Sequence, residues 1–450
     1  LPQGVRRRLP GRGAERVTGA LVMLAVMVAL IVAGFDIALA MIAATFAYLA
    51  ITWLEEGMNL SAIVPQLMAD GMNAELLFAV PLFVLMGNLM HISGITEALM
   101  RALLRGLSRV PGPLGYVNVL ANIVMSGMSG SAIADAAATS TILVRPMVKT
   151  GYKPSDAGAL TAAAATIGPI IPPSIPFVLI GGLAGVSIGQ LFIAGVVPGL
   201  LMGGLLLLWV AVSSRRLPRV AVDDVFPARG GFWLSSAQLL FALALPVVVV
   251  GSMLTGLATV TESAAVGCAL AGLGLVTIFR RQRQGSIWKA VTASSLNVGA
   301  ILITVAASAP IGWILAREGF GAYAGEFLAY LAPTPLLMWF VTVTALLVLG
   351  LVLEPIPLIL ILTPMLFPQL GKMGIDPVHF GVVMTVALMI GLISPPVGLN
   401  LFTVSRASGL PLKPLMRASW PYVGLLAVAA YILAIVPELS LWMPSLFFDR

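Results

Sequence analysis

Four short stretches hold the residues whose types could do chemistry in an otherwise apolar chain. The first is Ser126-Gly-Met-Ser-Gly-Ser-Ala-Ile-Ala-Asp135, small and hydroxylated residues ending in a carboxylate. The others are Gly87-Asn88, Leu353-Glu-Pro-Ile-Pro357 and Ser394-Pro-Pro-Val-Gly-Leu-Asn400. Glycine inside a helix costs about 1 kcal/mol relative to Ala. Runs of Gly, Ser and Pro therefore favour backbone that unwinds and turns carbonyls and hydroxyls outward. At membrane depth such backbone is tolerated only where it is buried in protein or lines a cavity. Ser126–Asp135 thus reads as half of a binding site. A carboxylate at the centre of an apolar helix costs about 2.5–3.5 kcal/mol on insertion scales, so Asp135 has a functional reading by default. The alternative is a helix cap, which satisfies free amides and the dipole. Glu354 has the same two readings. Glu262 reads as a structural carboxylate and Asp36 as a cap.

These residues must be positioned by membrane helices. The 450-residue chain is 59% hydrophobic and 10% charged, with mean hydropathy +1.04, whereas a soluble domain is about 25% charged. The expected fold is an all-α polytopic membrane protein. Even-period alternation is absent, which argues against an outer-membrane barrel. The single Cys268 excludes a disulfide framework, and His91 and His379 lie too far apart to suggest a transition-metal site. His91 reads as a satisfied interfacial residue. No Walker pattern or Ser-His pair is present, which disfavours ATP hydrolysis and membrane-embedded catalysis. The net charge of +7 reads as topology and lipid-headgroup contact, not nucleic-acid binding.

Residues 1–17 form a basic tail with Arg6, Arg7, Arg8, Arg12 and Arg16. A signal peptide cleaved after Ala38-Leu-Ala40 is the weaker reading, because the apolar run continues to Ile51. Residues 18–54 exceed one span of about 20 residues, and Gly34-Phe-Asp36 marks a break. Residues 18–212 form a first transmembrane repeat. Its re-entrant hairpin is expected near 75–93, with Pro81 and Gly87-Asn88 as the break. Residues 213–232, with Arg215, Arg216, Arg219, Asp223, Asp224 and Arg229, are a linker. Residues 233–450 form a second repeat with a hairpin near 336–371, centred on Glu354.

The two halves show an internal correspondence. Asn88 and Ser129 are 41 residues apart, and so are Glu354 and Pro395. Each half then has a short apolar segment broken by a polar residue, followed by a helix interrupted by Gly, Ser or Pro. Interrupted segments at corresponding positions of two halves point to a transporter site at the repeat interface.

Six motifs in order carry a family likeness: Gly87-Asn-Leu-Met90, Ser129-Gly-Ser-Ala-Ile-Ala-Asp-Ala136, Ile167-Gly-Pro-Ile-Ile-Pro-Pro-Ser174, Leu353-Glu-Pro355, Gly374-Ile-Asp-Pro-Val-His-Phe-Gly381 and Ser394-Pro-Pro-Val-Gly-Leu-Asn-Leu-Phe402. Over roughly residues 20–440 the chain resembles the large membrane (M) subunit of tripartite ATP-independent periplasmic (TRAP) transporters. The resemblance implies a sodium-driven importer of organic acids, such as a C4-dicarboxylate or sialic acid, working by an elevator mechanism in a bacterial or archaeal inner membrane. It implies two partners, a four-helix small (Q) subunit and a periplasmic substrate-binding protein. In some members the small subunit is fused ahead of the large one, which suits a chain beginning at Leu1. Ala387 departs from the family, which often has Asn there. The basic tail favours a cytoplasmic N-terminus, whereas the family implies a periplasmic one.

Sodium is a hard cation that takes oxygen ligands, and unwound backbone and half-helix ends supply carbonyls. One sodium site is expected to pair Gly87 and Asn88 with Ser129, Gly130 and Ser131. The second is expected to pair Gly350, Glu354 and Pro355 with Ser394, Pro395, Pro396 and Gly398. Helix kinking without an ion is the plainer reading of these prolines and glycines. No other cofactor is expected. The substrate is an anion, received by amides at half-helix N-termini: Ser131, Ala132 and Asp135, the Pro173-Ser174 bend, and Val397 to Asn400. Arg406 is the nearest cation, or else an interfacial snorkelling arginine. A stand-alone sodium-coupled anion transporter of related architecture, without a binding protein, is the alternative.

Overall fold

The structure is a computed structural model and describes residues 12–57, 60–73, 75–221, 225–226, 232–280, 285–321, 323, 325, 334–370 and 373–448. Most of the basic tail, together with Asp223, Asp224 and Arg229 of the linker, lies outside the described residues. Among the described residues the regular elements are helical and no strand occurs. Among the described residues five helical segments are long and apolar enough to cross a membrane: Ile37–Leu54, Ile188–Ser213, Ala237–Leu254, Ile287–Arg317 and Leu412–Ile435. The chain is an all-α polytopic membrane protein.

The first half comprises α1 (Arg12–Val32), α2 (Ile37–Glu56), α3 (Ile63–Met72), α4 (Ala79–Ser93), α5 (Ile95–Leu107), α6 (Pro113–Ser129), α7 (Ala132–Thr139), α8 (Arg145–Lys149), α9 (Pro154–Ala165), α10 (Ile175–Ala184) and α11 (Ile188–Ser213). The second comprises α12 (Phe232–Leu254), α13 (Val260–Val276), α14 (Ile287–Arg317), α15 (Pro335–Gly350), α16 (Pro355–Leu370), α17 (Pro377–Gly391), α18 (Leu399–Ser408), α19 (Leu412–Ile435) and α20 (Glu438–Phe448). Helices α6, α9, α15, α16 and α17 all open on proline, whose fixed φ suits the first turn and whose missing N–H would be unpaired there anyway. Asp36 caps α2, its Oδ1 accepting from the Ala38 amide at 2.9 Å. Glu262 closes a capping box with Thr259 at the start of α13.

The first-half hairpin is not at 75–93. Helix α4 runs unbroken through Gly87-Asn88, and the chain bends by 64° only after it, between α4 and α5. Pro81 sits in the first turn of α4, where an N–H has no intrahelical acceptor to lose. The fold-back is instead α6–α7, with its tip at Gly130-Ser131, and both limbs pack on α9. In the second half α15 and α16 flank the turn at residues 351–354 and both pack on α17.

The repeat therefore has a different register from the 41-residue spacing. Pro154, Gly158, Gly168, Pro172 and Pro173 recur 223 positions later as Pro377, Gly381, Gly391, Pro395 and Pro396. Gly127 recurs at the same offset as Gly350, and Ser131 falls in register with Glu354. The Ser129–Ser131 stretch thus corresponds to the second hairpin tip, and the Pro395-Pro396 bend corresponds to Pro172-Pro173. Helix α9 breaks at 166–174 before α10, as α17 breaks at 392–398 before α18. Packing across the repeats is reciprocal: α7 lies on α18, and α16 lies on α10. That is the relation of a pseudo-two-fold pair.

Around these elements α4 packs on α13 and α14, α14 on α2 and α3, and α12 on α5 and α13. Leu240, Val247 and Leu296 on α12 and α14 are exposed, a face suited to lipid. The deep core belongs to α6, α9, α10 and α17, where Val117, Ala162, Phe177 and Val383 are fully buried.

Candidate functional site

The tip of the first hairpin is clamped from two sides. Gly130 has φ +58°, the left-handed region, and a Cβ there would stand 2.6 Å from the Pro173 carbonyl oxygen. Only glycine fits both conditions at low cost. On the opposite side a Cβ on Gly87 of α4 would stand 3.1 Å from the Ser129 Cα. Gly87 is therefore a close-approach residue, not a helix break.

Hydroxyls fix the tip. Ser131 caps α7, its Oγ accepting from the Ala134 amide at 3.4 Å. Ser129 Oγ donates to Asp135 Oδ1 at 2.6 Å and accepts from the Ser131 amide at 3.3 Å. Asp135 is fully buried. Its Oδ2 has no hydrogen-bond partner, and a Cβ on Gly168 would stand 2.5 Å from it. The carboxylate thus packs closely against the α9–α10 break. Asn88 bridges α4 to α14, its Nδ2 donating to Ser294 Oγ at 2.8 Å.

A cavity of about 470 Å³ opens beside the tip. Gly87, Asn88, Ser129, Gly130, Ser131 and Ala132 line it. From the second hairpin Glu354 and Pro355 reach the same cavity. Both hairpin tips therefore meet one space, closed by α4, by Asn297 of α14, and by Pro169, Met389, Leu392 and Leu399 of the broken helices. Among these lining residues there is no Lys or Arg.

Several expected site residues lie elsewhere. Asp135, Pro173 and Ser174 sit behind the tip, with Ser174 capping α10 through the Phe177 amide at 3.3 Å. Gly350 packs on Gly391 of α17. Ser394 Oγ donates to the Ile390 carbonyl at 2.8 Å, and Pro395, Pro396, Val397 and Gly398 do not line the cavity. Asn400 is buried, its Nδ2 donating to the Ala162 carbonyl at 3.2 Å. Its Oδ1 has no partner. Arg406 is exposed in the last turn of α18, where a cation meets the negative end of the helix dipole. It does not supply positive charge to the cavity.

One polar cavity residue, Asn297, was not picked out from the sequence, and the expectation for a second, His91, is corrected. Asn297 is polar within an apolar helix, which is itself a signal at membrane depth. His91 lines the cavity, and its Nε2 is buried without a hydrogen-bond partner, so it is not a satisfied interfacial residue.

The family described as "Tripartite ATP-independent periplasmic transporter, DctM component" matches residues 24–439. The chain belongs to the DctM family of TRAP transporter large permeases. This DctM chain is 35% identical over 425 residues to the sialic acid TRAP transporter large permease protein SiaM of Vibrio cholerae, covering 93% of this chain and 96% of that one. It is 34% identical over 382 residues to the 2,3-diketo-L-gulonate TRAP transporter large permease protein YiaN of Escherichia coli, covering 84% and 88%. In fold it resembles the YdaH transporter of Alcanivorax borkumensis, with TM-score 0.59 at 15% identity over 95% of this chain and 98% of that one.

Proposed function

We propose that this DctM chain carries sodium-coupled import of a small organic-acid anion, with the acid seated in the cavity between the two hairpin tips. The observation that supports this most is the convergence of both tips, Ser129–Ser131 and Glu354-Pro355, on one cavity. The cavity supplies hydroxyl and carbonyl oxygens and one carboxylate but no Lys or Arg. A cation held by the tip oxygens would offset the charge of a carboxylate beside it. Sodium held by Asn88, Ser129, Gly130 and Ser131 fits that need, with Gly87 letting α4 approach the tip. The acid's carboxylate would take the Ser131 hydroxyl and the amides at the start of α7, favoured by the helix dipole. Glu354 and Pro355 would contribute to the second sodium site, with Gly350 packing behind them.

In this reading the hairpins and broken helices carry the cavity across an inner membrane relative to α14, as in an elevator. A periplasmic binding protein delivers the acid and a four-helix subunit completes the membrane complex. Uptake into proteoliposomes holding the complex is the test. It should require a sodium gradient and the binding protein together. Uptake supported equally by a proton gradient in sodium-free buffer would exclude the assignment.

A further inference from the structure

His91 projects from α4 into the cavity wall, opposite the first hairpin. Of its two ring nitrogens only Nε2 is both buried and without a hydrogen-bond partner. Asp135 Oδ1 stands 3.9 Å from that nitrogen, too far for a hydrogen bond but close enough to set the local field. A carboxylate oxygen on the side of one ring nitrogen biases the proton toward that nitrogen by its field alone, without the hydrogen bond that would fix the tautomer. With the hydrogen assigned to Nε2 on that ground, Nδ1 keeps a lone pair that accepts and cannot donate. Asp135 is itself held by Ser129, so the orientation is built from the hairpin tip outward.

We infer that His91 is a specificity-determining residue that accepts a hydrogen bond from a hydroxyl of the bound acid. The preferred substrate class is accordingly a hydroxylated carboxylate rather than its deoxy counterpart. The inference rests on the reading that the cavity seats the acid. An acid carboxylate has no hydrogen to offer Nδ1, whereas a hydroxyl does. The donors of the tip, Ser131 and the α7 amides, take the carboxylate. His91 takes the hydroxyl from the facing wall. A site built to pair a substrate hydroxyl discriminates against the analogue that lacks it, because the protein's own polar group is then left unpaired.

The test uses probes differing by one hydroxyl: L-malate against succinate, and L-lactate against propionate. Affinities are read from the shift in thermal unfolding midpoint of the intact membrane complex in sodium buffer. The hydroxylated member of at least one pair should bind more tightly by roughly two- to tenfold, the contribution of one neutral hydrogen bond. His91→Leu should bring that ratio close to one. His91→Asn, whose amide oxygen can stand where Nδ1 does, should retain part of it. Equal affinities within both pairs for the native chain, or an unchanged ratio in His91→Leu, would overturn the assignment. Ser131→Ala separates the two levels of the claim. If it leaves both members of a pair unaffected, the cavity reading fails. If it weakens both while His91→Leu keeps the ratio, only the role of His91 fails.

Discussion

Gly391 of α17 lies backbone to backbone against Gly350 of α15: a β-carbon on Gly391 would stand 2.7 Å from the Gly350 carbonyl carbon. The contact seats the second hairpin on the helix that breaks just beyond it. No side chain can enter without parting the two helices. Gly391→Ala should therefore lower the thermal unfolding midpoint, with overpacking of this kind costing about 1–3 kcal/mol. Gly204 of α11 has nothing within 4 Å of its would-be Cβ, so Gly204→Ala should hold or raise the midpoint, by about 0.5–1 kcal/mol at most. Differential scanning fluorimetry of the two variants in detergent checks the contrast.

Asp135 is expected to respond to shape and acceptor, not to charge alone. Asp135→Asn keeps an oxygen for the Ser129 hydroxyl and fits against Gly168. Asp135→Leu removes that acceptor, and leaving a buried donor unpaired costs about 1–3 kcal/mol. The unfolding midpoint should fall clearly more for Leu than for Asn. Equal falls would mean that the Ser129–Asp135 bond does not hold the tip.

The elevator reading makes a geometric demand on α14 and α16. A Cβ on Gly312 would stand 3.4 Å from the Pro364 Cβ, close to the roughly 3.5–4.5 Å of disulfide-bonded pairs. In a Cys268→Ser background, Gly312→Cys with Pro364→Cys should crosslink under mild oxidant. Uptake should stop and return on reduction. Undiminished uptake by the crosslinked protein would show that these two helices do not move apart during transport.

The breaks in the helices were more legible than what each break packs against. Ser129-Gly130-Ser131 announces a break because nothing in it can pack a helix, and the Pro-Pro bends announce two more. Gly87-Asn88 carries the same residue types but serves close packing and an α4–α14 bridge. Composition does not separate a glycine that ends a helix from one that lets another backbone approach. Pro81 was misleading for a related reason, since a proline in a first turn breaks nothing. The repeat register was hidden because local spacing within each half says nothing about which break matches which. The pairing of Pro154 with Pro377 and of Gly168 with Gly391 does say so. His91 needed the fold, because only packing shows that Asp135, distant in sequence, faces its ring.

Sodium dependence of uptake in Ser131→Ala tests the central claim most directly. Ser295 serves as the control, since it is exposed on α14 and bonds only to the Val291 carbonyl of its own helix. The complex is reconstituted with its binding protein and sodium is varied at fixed acid concentration. Ser131→Ala should raise the sodium concentration for half-maximal uptake by about tenfold, the equivalent of about 1.4 kcal/mol, while Ser295→Ala tracks the native chain. The same sodium requirement in Ser131→Ala and Ser295→Ala would contradict a coupling site at the first hairpin tip.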